Sequence, residues 1–437
     1  MASTVNESIE TRLFINGKEA DIQDVEDAVT AANAAFPSWR DLGTDKRGAY
    51  MRKLSQLILE LSNELAKLET LSTGRPISQF VDASLAAETF GYFAGAGWTT
   101  QGTASLNTPD HLNLTVKQPY GVVALIIPWN FPLIMFAGKL APALAAGNTI
   151  VLKSSEKAPL TSLYVAKLIE KVGFPPGVIN IISGFGNPTG AALASHMVVR
   201  CISFTGSTAT GQKIQAAAAN SNMKHVHMEL GGKSPAIIFK DADLEPAAAQ
   251  TQFGIHFNSG QVCAANSRIY VHESVAEQFI KLFREKFAAV RIGDPLNPTT
   301  SHGPQVVILQ YNKIKEYLAI GEKDGTLTLG GDADYGLFVR PTIFEDVAEG
   351  SRLMQEEANN SVFGLYAAVF TKDLDRAVRL AKALDVGTVG VNCTSPTSAK
   401  DTAFGGFKMS GNGREGLLYS LDSFLETKSI LIKTARL

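Results

Sequence analysis

Two apolar, β-branched runs limit the fold most: Tyr120–Pro128 (YGVVALIIP) and Asn148–Ser155 (NTIVLKSS), with a stretch of helical character from Leu133 to Ala146 between them. Strands that are apolar along their whole length need cover on both faces. A helical connection of that length returns the chain in the same direction, so the two strands are expected to be parallel. The pattern then repeats. PLTSLYVAKLIEKVG reads as a helix, VINIISG and RCISFTG as strands, and TATGQKIQAAAA as another helix. This βαβαβ run is the framework of a nucleotide-binding domain. Ahead of it, Asp24–Phe36 and Arg47–Leu71 read as amphipathic helices. After it, HVHMELGG and SPAIIF read as short strands, and a second α/β region runs from about Leu244 to Lys408.

Gln118–Gly138 is uncharged and long enough to cross a bilayer, but Pro128 and Pro132 would break a spanning helix. A buried strand, a loop and a helix start are expected there instead. Lys+Arg 40 against Asp+Glu 42 leaves no basic excess for nucleic acid or an anionic membrane. Three cysteines make no disulfide framework and suit a reducing compartment. No cysteine–histidine spacing matches a metal site, so no metal is expected. The N-terminal residues show neither a secretory nor a mitochondrial pattern, which leads to a cytoplasmic expectation. The terminal Ala435-Arg436-Leu437 resembles a peroxisomal address.

Several motifs have two readings. Gly206-Ser-Thr-Ala-Thr-Gly211 lies between a strand and a helix, where free N–H groups attract an anion, yet Ser207 or Thr208 also suits a helix cap. The turn Gly184–Gly190 does not have the GxGxxG spacing. Lys153 and Glu156 follow a strand end, where they are either a solvated pair or a ribose clamp. A carboxylate there accepts from a ribose 2′-hydroxyl and repels a 2′-phosphate, which favours NAD over NADP. Cys263, in HFNSGQVCAA, is either a nucleophile or a small apolar residue. Cys201 fits a strand core, and Cys393 falls in a loop with no evident role. Glu229 is either a general base or a surface carboxylate. His225 and His227 share one strand face and read as packed side chains. No GxSxG elbow offers a rival nucleophile.

PWNFP, VLKSSEKAP, FTGST, MELGGKSP, FNSGQVC and FGGFKMSGNGRE follow one another along the chain. This ordered set resembles the aldehyde dehydrogenase superfamily through nearly the whole sequence. The resemblance implies an α/β fold of three parts: a Rossmann-like NAD-binding domain (1–100 and 121–231), an α/β catalytic domain (232–408) and a small β oligomerisation extension (101–120 and 425–437). It implies a homodimer or homotetramer, NAD as cofactor and an aldehyde as substrate. Cys263 would form a thiohemiacetal, steadied by the Asn130 amide and its own N–H. Hydride would pass to the nicotinamide, and Glu229 would activate water against the resulting thioester. For the cofactor the resemblance implies Ile127, Trp129, Lys153, Glu156, Gly186, Gly190, Phe204, Gly206, Ser207, Leu230 and Glu357. For the substrate it implies Phe131, Met135 and Phe404, with Gly138 widening the pocket.

The chain departs from the family pattern in two places. LFINGKE runs straight into ADIQDVEDA, and Glu357 is followed at once by Ala358-Asn359-Asn360. The second departure removes a strand and a helix. It implies a gap in the catalytic sheet and an alternative reading, an impaired or non-catalytic relative that binds cofactor or a partner.

Overall fold

The computed structural model describes residues 22–333, 336–348, 350–353, 361–394 and 399–434. Helix α1 (Ile22–Asp41) extends past Phe36 and takes in Pro37. The single helix expected over Arg47–Leu71 is two, α2 (Thr44–Glu60) and α3 (Ser62–Thr73). Leu61, at φ −102° and ψ 22°, ends one and opens the other, so an unbroken amphipathic pattern conceals a corner. Helix α4 (Asp82–Ala96) packs against α2. β1 (Ala104–Ser105), β2 (His111–Pro119) and β17 (Leu425–Lys433) form a separate antiparallel sheet, and Leu431 on β17 stays exposed.

Gln118–Gly138 is the strand, loop and helix start expected of it. Among the described residues no helix is long and apolar enough to cross a membrane. β3 (Val122–Ile126) is covered on both faces. Val123 and Leu125 enter one apolar layer, and Val122, Ala124 and Ile126 enter the other. β4 (Thr149–Ser154), β5 (Ile179–Ser183), β6 (Cys201–Thr205) and β7 (His225–Glu229) run parallel to it. β16 (Gly411–Asn412) pairs antiparallel on the far side of β7. The order is β16-β7-β6-β3-β4-β5, so chain direction across the sheet reverses between β3 and β6. The crossovers are α5 (Pro132–Ala145), α6 (Leu160–Val172) and the short α7 (Ala191–Ser195); α8 (Thr208–Ala219) links β6 to β7. Cys201 is fully buried, as its strand position implies. His225 rests on Tyr120 and His227 on Phe424.

The second sheet holds β8 (Pro235–Ile238), β9 (Arg268–Val271), β13 (Tyr366–Phe370) and β14 (Thr388–Val391), all parallel, in the order β14-β13-β8-β9. Helices α9 (Leu244–His256), α10 (Glu273–Ala288) and α12 (Leu374–Ala383) cover it. The expected gap in the middle of this sheet is not there. Ala368, Val369 and Phe370 pair directly with Ala236, Ile237 and Ile238. The sheet stops instead at β9, and an opening lies beside that edge, lined by Ile269 and Val271 and faced by Phe279 and Ile280. An edge strand lost from the family pattern leaves a shorter sheet, whereas a lost central strand would leave two unpaired ladders. α11 (Ile308–Asp324) and the hairpin β10 (Thr326–Leu329) and β11 (Ile343–Glu345) stand across the opening. β12 (Phe363–Gly364) and β15 (Phe407–Lys408) make one small ladder.

A charge cluster is buried where α3, α4, α5 and α6 meet. The Arg75 guanidinium lies 2.6 Å from Asp82 and 3.5 Å from Glu69, and all three side chains are at most 1% exposed. Glu69 accepts from the Leu133 N–H at 3.4 Å and pairs with Thr161 Oγ1 at 2.5 Å, which ties the start of α5 to α3 and α6. Burial, and then the Asp82 charge, push the Glu69 carboxyl up to about 8. The folded chain therefore holds a proton there that the unfolded chain gives up above about 4.5. Stability from this group is present at low pH and is lost as the pH rises through that window to about 8. Glu69→Gln is expected to flatten the decline of stability over this range, read by denaturant titrations at several pH values. Arg75→Ala strands two acids in the interior and is expected to cost about 3–5 kcal/mol in the same titrations.

Candidate active site

Open parallel sheets place ligands beyond the carboxyl ends of their strands, at the point where strand order reverses. Here that point lies between β3 and β6, and the motif residues gather around it. Ile127, Trp129 and Asn130 follow β3; Lys153 is the last residue but one of β4, with Glu156 just beyond; Gly186 and Gly190 follow β5. Phe204 is in β6 with Gly206 and Ser207 after it, and Glu229 ends β7 with Leu230 next. Cys263 arrives from the other sheet, in the turns that lead into β9. Phe131 and Met135 stand at the head of α5, and Phe404 lies on the loop before β15. All of these line one chamber of about 1720 Å³, which also reaches the opening beside β9. Glu357 lies outside the described residues. Gly138 does not line the chamber. It borders a small separate recess with Glu229 and Glu415, so its missing side chain frees space behind the carboxylate.

The turn that carries Cys263 has an unusual backbone. Asn258 and Ser259 both take left-handed conformations, with φ 50° and 54°. Each such residue costs energy unless the surroundings over-determine it, and here they do. Ser259 Oγ donates to Gly303 O and accepts from Gly303 N, both at 3.0 Å, and Gln305 Nε2 donates to Ser259 O at 3.1 Å. Asn258 Nδ2 donates to Asn130 O at 3.1 Å, and Gln261 Nε2 donates to Asn258 O at 3.1 Å. Asn130 Nδ2 donates one hydrogen to Gln261 O at 2.9 Å. An amide nitrogen has two hydrogens, so the second remains available toward the chamber.

Electrostatics set the resting state. Cys263 is only partly exposed. Its packing, and then the nearby Glu229 charge, push the thiol up to about 12, while the N–H groups of Ala264 and Cys263 pull it down. Burial lifts the Glu229 carboxyl well above the usual range, with the Glu415 charge adding to it and Lys139 and Arg414 opposing it. Neither Glu229 oxygen has a hydrogen-bond partner among the described residues. Lys139, a buried lysine in an otherwise apolar helix, donates to Ser203 Oγ at 2.9 Å and to Glu415 Oε1 at 2.5 Å. Gly405 leaves the carboxylate its space, since a Cβ there would lie 2.9 Å from Glu229 Oε1.

The model of the aldehyde dehydrogenase family matches residues 3–358 and again 356–430. The chain belongs to the aldehyde dehydrogenase family. The match breaks and restarts where Glu357 meets Ala358-Asn359-Asn360. The chain is similar to human retinal dehydrogenase 2, at 44% identity over 95% of this chain and 86% of the relative. It is equally similar to human mitochondrial aldehyde dehydrogenase, at 44% identity with the same coverage. An aldehyde dehydrogenase from Bacillus cereus, solved as its NAD+ complex, superposes with a TM-score of 0.92 at 39% identity, covering 95% of this chain and 90% of that one.

The residues of this aldehyde dehydrogenase family member make a cradle that fits a dinucleotide. Ser207 caps α8, its Oγ accepting from Thr210 N at 3.3 Å, and the first N–H groups of that helix open toward the chamber as an anion site. Gly206 lies against the Phe204 ring, so closely that a Cβ would come within 2.5 Å of it. Lys153 Nζ stands 3.4 Å from Glu156, and the lysine stem packs beside Gly190. The sequence reading missed Lys139, Glu415 and Gln261. Lys139 had a signal, a lone charge inside PLIMFAGKLAPALA. For a carboxyl raised above its usual range, the base form grows as pH rises. NADH formation is therefore expected to climb with pH. Glu415→Gln removes the like charge, so its rising limb is expected at lower pH than in the parent, measured by pH–rate profiles of both.

Proposed function

We propose that this chain oxidises an aldehyde to a carboxylate with NAD as the hydride acceptor. The observation that carries the reading is the meeting of the Cys263 thiol, the Glu229 carboxyl and the Asn130 amide in the chamber that also holds the Lys153–Glu156 pair. Glu229 in its ionised form takes the thiol proton, directly or through one water. The sulfur adds to the aldehyde carbon, and the carbonyl oxygen becomes an oxyanion. The free hydrogen of Asn130 Nδ2 and the N–H of Cys263 donate to it. Bound NAD supplies acceptance of a hydride from that carbon. A thioester on Cys263 results. Once Glu229 has given up the thiol proton it takes a second one from water, the hydroxide adds to the thioester carbon, the C–S bond breaks, and the acid leaves as a carboxylate and a released proton with the thiolate restored. The Lys139–Glu415 pair beside Glu229 offers the carboxyl proton a way out of the interior.

The carboxylate at Glu156 favours NAD over NADP. Phe131, Phe257 and Phe253 form a run of rings, with centroids 5.8 and 5.2 Å apart, that leads from the chamber outward. These rings and the chamber's size support a bulky apolar aldehyde, and the retinal dehydrogenases among the relatives agree with that. The exposed face of the β2–β17 sheet supports a homodimer or homotetramer. The location is proposed as cytoplasmic; Ala435–Leu437, which resembles a peroxisomal address, lies outside the described residues. The chamber open beside β9 supports a second reading, cofactor binding without turnover.

One measurement separates the two. Purified protein, NAD and a panel of aliphatic, aromatic and polyene aldehydes are mixed, and NADH absorbance is followed. The parent chain is expected to form NADH, fastest with the bulky members. Cys263→Ala is expected to bind NAD and form none. Turnover by that variant would overturn the thioester route, and silence from the parent would favour the second reading.

A further inference from the structure

Gln79 stands on the turn Ile77–Gln79, in the helical region that precedes the first sheet, far in sequence from Cys263. Both ends of its side-chain amide are engaged by residues far along the chain. Oε1 accepts from the backbone N–H of Asn258 at 3.1 Å, and Nε2 donates to Ser301 O at 2.8 Å. Ser78 Oγ donates to Thr300 O at 2.7 Å and the Ile77 N–H to Pro295 O at 2.8 Å, so the whole turn is seated on this segment.

Asn258 is fully buried and is the first of the two left-handed residues in the nucleophile turn. Its side chain reaches Asn130 O, the Asn130 side chain reaches Gln261 O, and the Gln261 side chain returns to Asn258 O. These three residues close a ring that sets the oxyanion donor against the turn leading to Cys263. The hydrogen bond from Asn258 N to Gln79 fastens that ring to the first domain region, while Ser301 fastens Gln79 to the strap that holds Ser259.

We infer that Gln79 is a positioning residue for the reaction: it fixes the left-handed turn at Asn258 and, through it, the distance between the Asn130 amide and the Cys263 sulfur. This rests on the reading of Cys263 as nucleophile. Gln79 touches neither substrate nor cofactor on this account, so its loss acts on the rate of the chemical step. Without Oε1 the buried Asn258 N–H loses its acceptor, and the turn relaxes toward ordinary backbone angles.

The test compares the parent with Gln79→Leu, Gln79→Glu and Cys263→Ala, using NAD and the best aldehyde of the panel. Gln79→Leu is expected to lower kcat by about tenfold to a hundredfold, the range for small misplacements of reacting groups. Its KM for aldehyde and its Kd for NAD, read by titration, are expected within about twofold of the parent, because both contacts lie elsewhere. Gln79→Glu keeps the acceptor for Asn258 and loses the donor to Ser301 O. It is expected to recover part of the rate, and its rate relative to the parent is expected to rise as the pH falls and the new carboxyl regains a proton. An unchanged kcat in Gln79→Leu overturns the inference. So does a fall in kcat matched by equal losses in NAD affinity and melting temperature, which marks a general structural role. If Gln79→Leu does not fold, the pH response of Gln79→Glu decides, and a ratio flat with pH overturns the inference. Turnover by Cys263→Ala removes the reading on which it rests. A silent Cys263→Ala beside a fully active Gln79→Leu sinks this inference alone.

Discussion

The reversal of strand order between β3 and β6 governs where everything else lies. Two neighbouring strands whose crossovers leave to opposite sides cannot have both carboxyl ends covered by the same helix, so a crevice opens there. Into it project Asn130 after β3 and Gly206 after β6, with Lys153 and Glu229 one strand further out on either side. The second sheet presents its amino-terminal side to that crevice, which brings the turns before β8 and β9 over the first sheet's carboxyl ends. Close contact makes the meeting tight: a Cβ on Gly232 would lie 2.9 Å from the Leu365 side chain and 3.0 Å from the Cys263 carbonyl.

Charge is handled in the same place by two different devices. At Glu69, Arg75 and Asp82 the acids are compensated and serve to hold α3, α4, α5 and α6 together. At Glu229 the carboxyl is left without a hydrogen-bond partner among the described residues, and the nearby ammonium of Lys139 is directed to Glu415 instead. An acid whose carboxyl is raised by burial but lies close to a cation can change its proton state with a small rearrangement. The first cluster has its polar groups spent on architecture, and the second keeps one in reserve for chemistry.

Much of this was legible in the sequence, and the reason is local. Continuous apolar runs describe β3, β4 and β6 without reference to distant residues, and TATGQKIQAAAA coincides with α8. Motifs that follow strand ends share the chamber because a parallel sheet gathers its strand ends at one side. What stayed illegible depends on partners far along the chain. Nothing near Gln79 announces Asn258, and nothing near Lys139 announces Glu415. The corner at Leu61 leaves the amphipathic period intact, so the pattern runs through it. The loss after Glu357 reads as a hole in the catalytic sheet, yet its remaining strands pair without interruption and the opening falls at the β9 edge. Sequence order does not say which strand of a parallel sheet is central.

The nucleophile turn draws its partners from every part of the chain: Gln79 and Asn130 before it, Gly303 and Gln305 after it. Glu229 is enclosed only when Gly405 and Glu415 are in place, close to the last strand. During synthesis, then, Cys263 emerges after its base and its donor but well before Gly303, Gln305, Gly405 and Glu415, which close around them. A ribosome must reach Glu415 before the thiol has its base, its donor and its cover together. Until that moment it is an ordinary cysteine on an unfinished chain, and its reactivity is a property that arrives with completion.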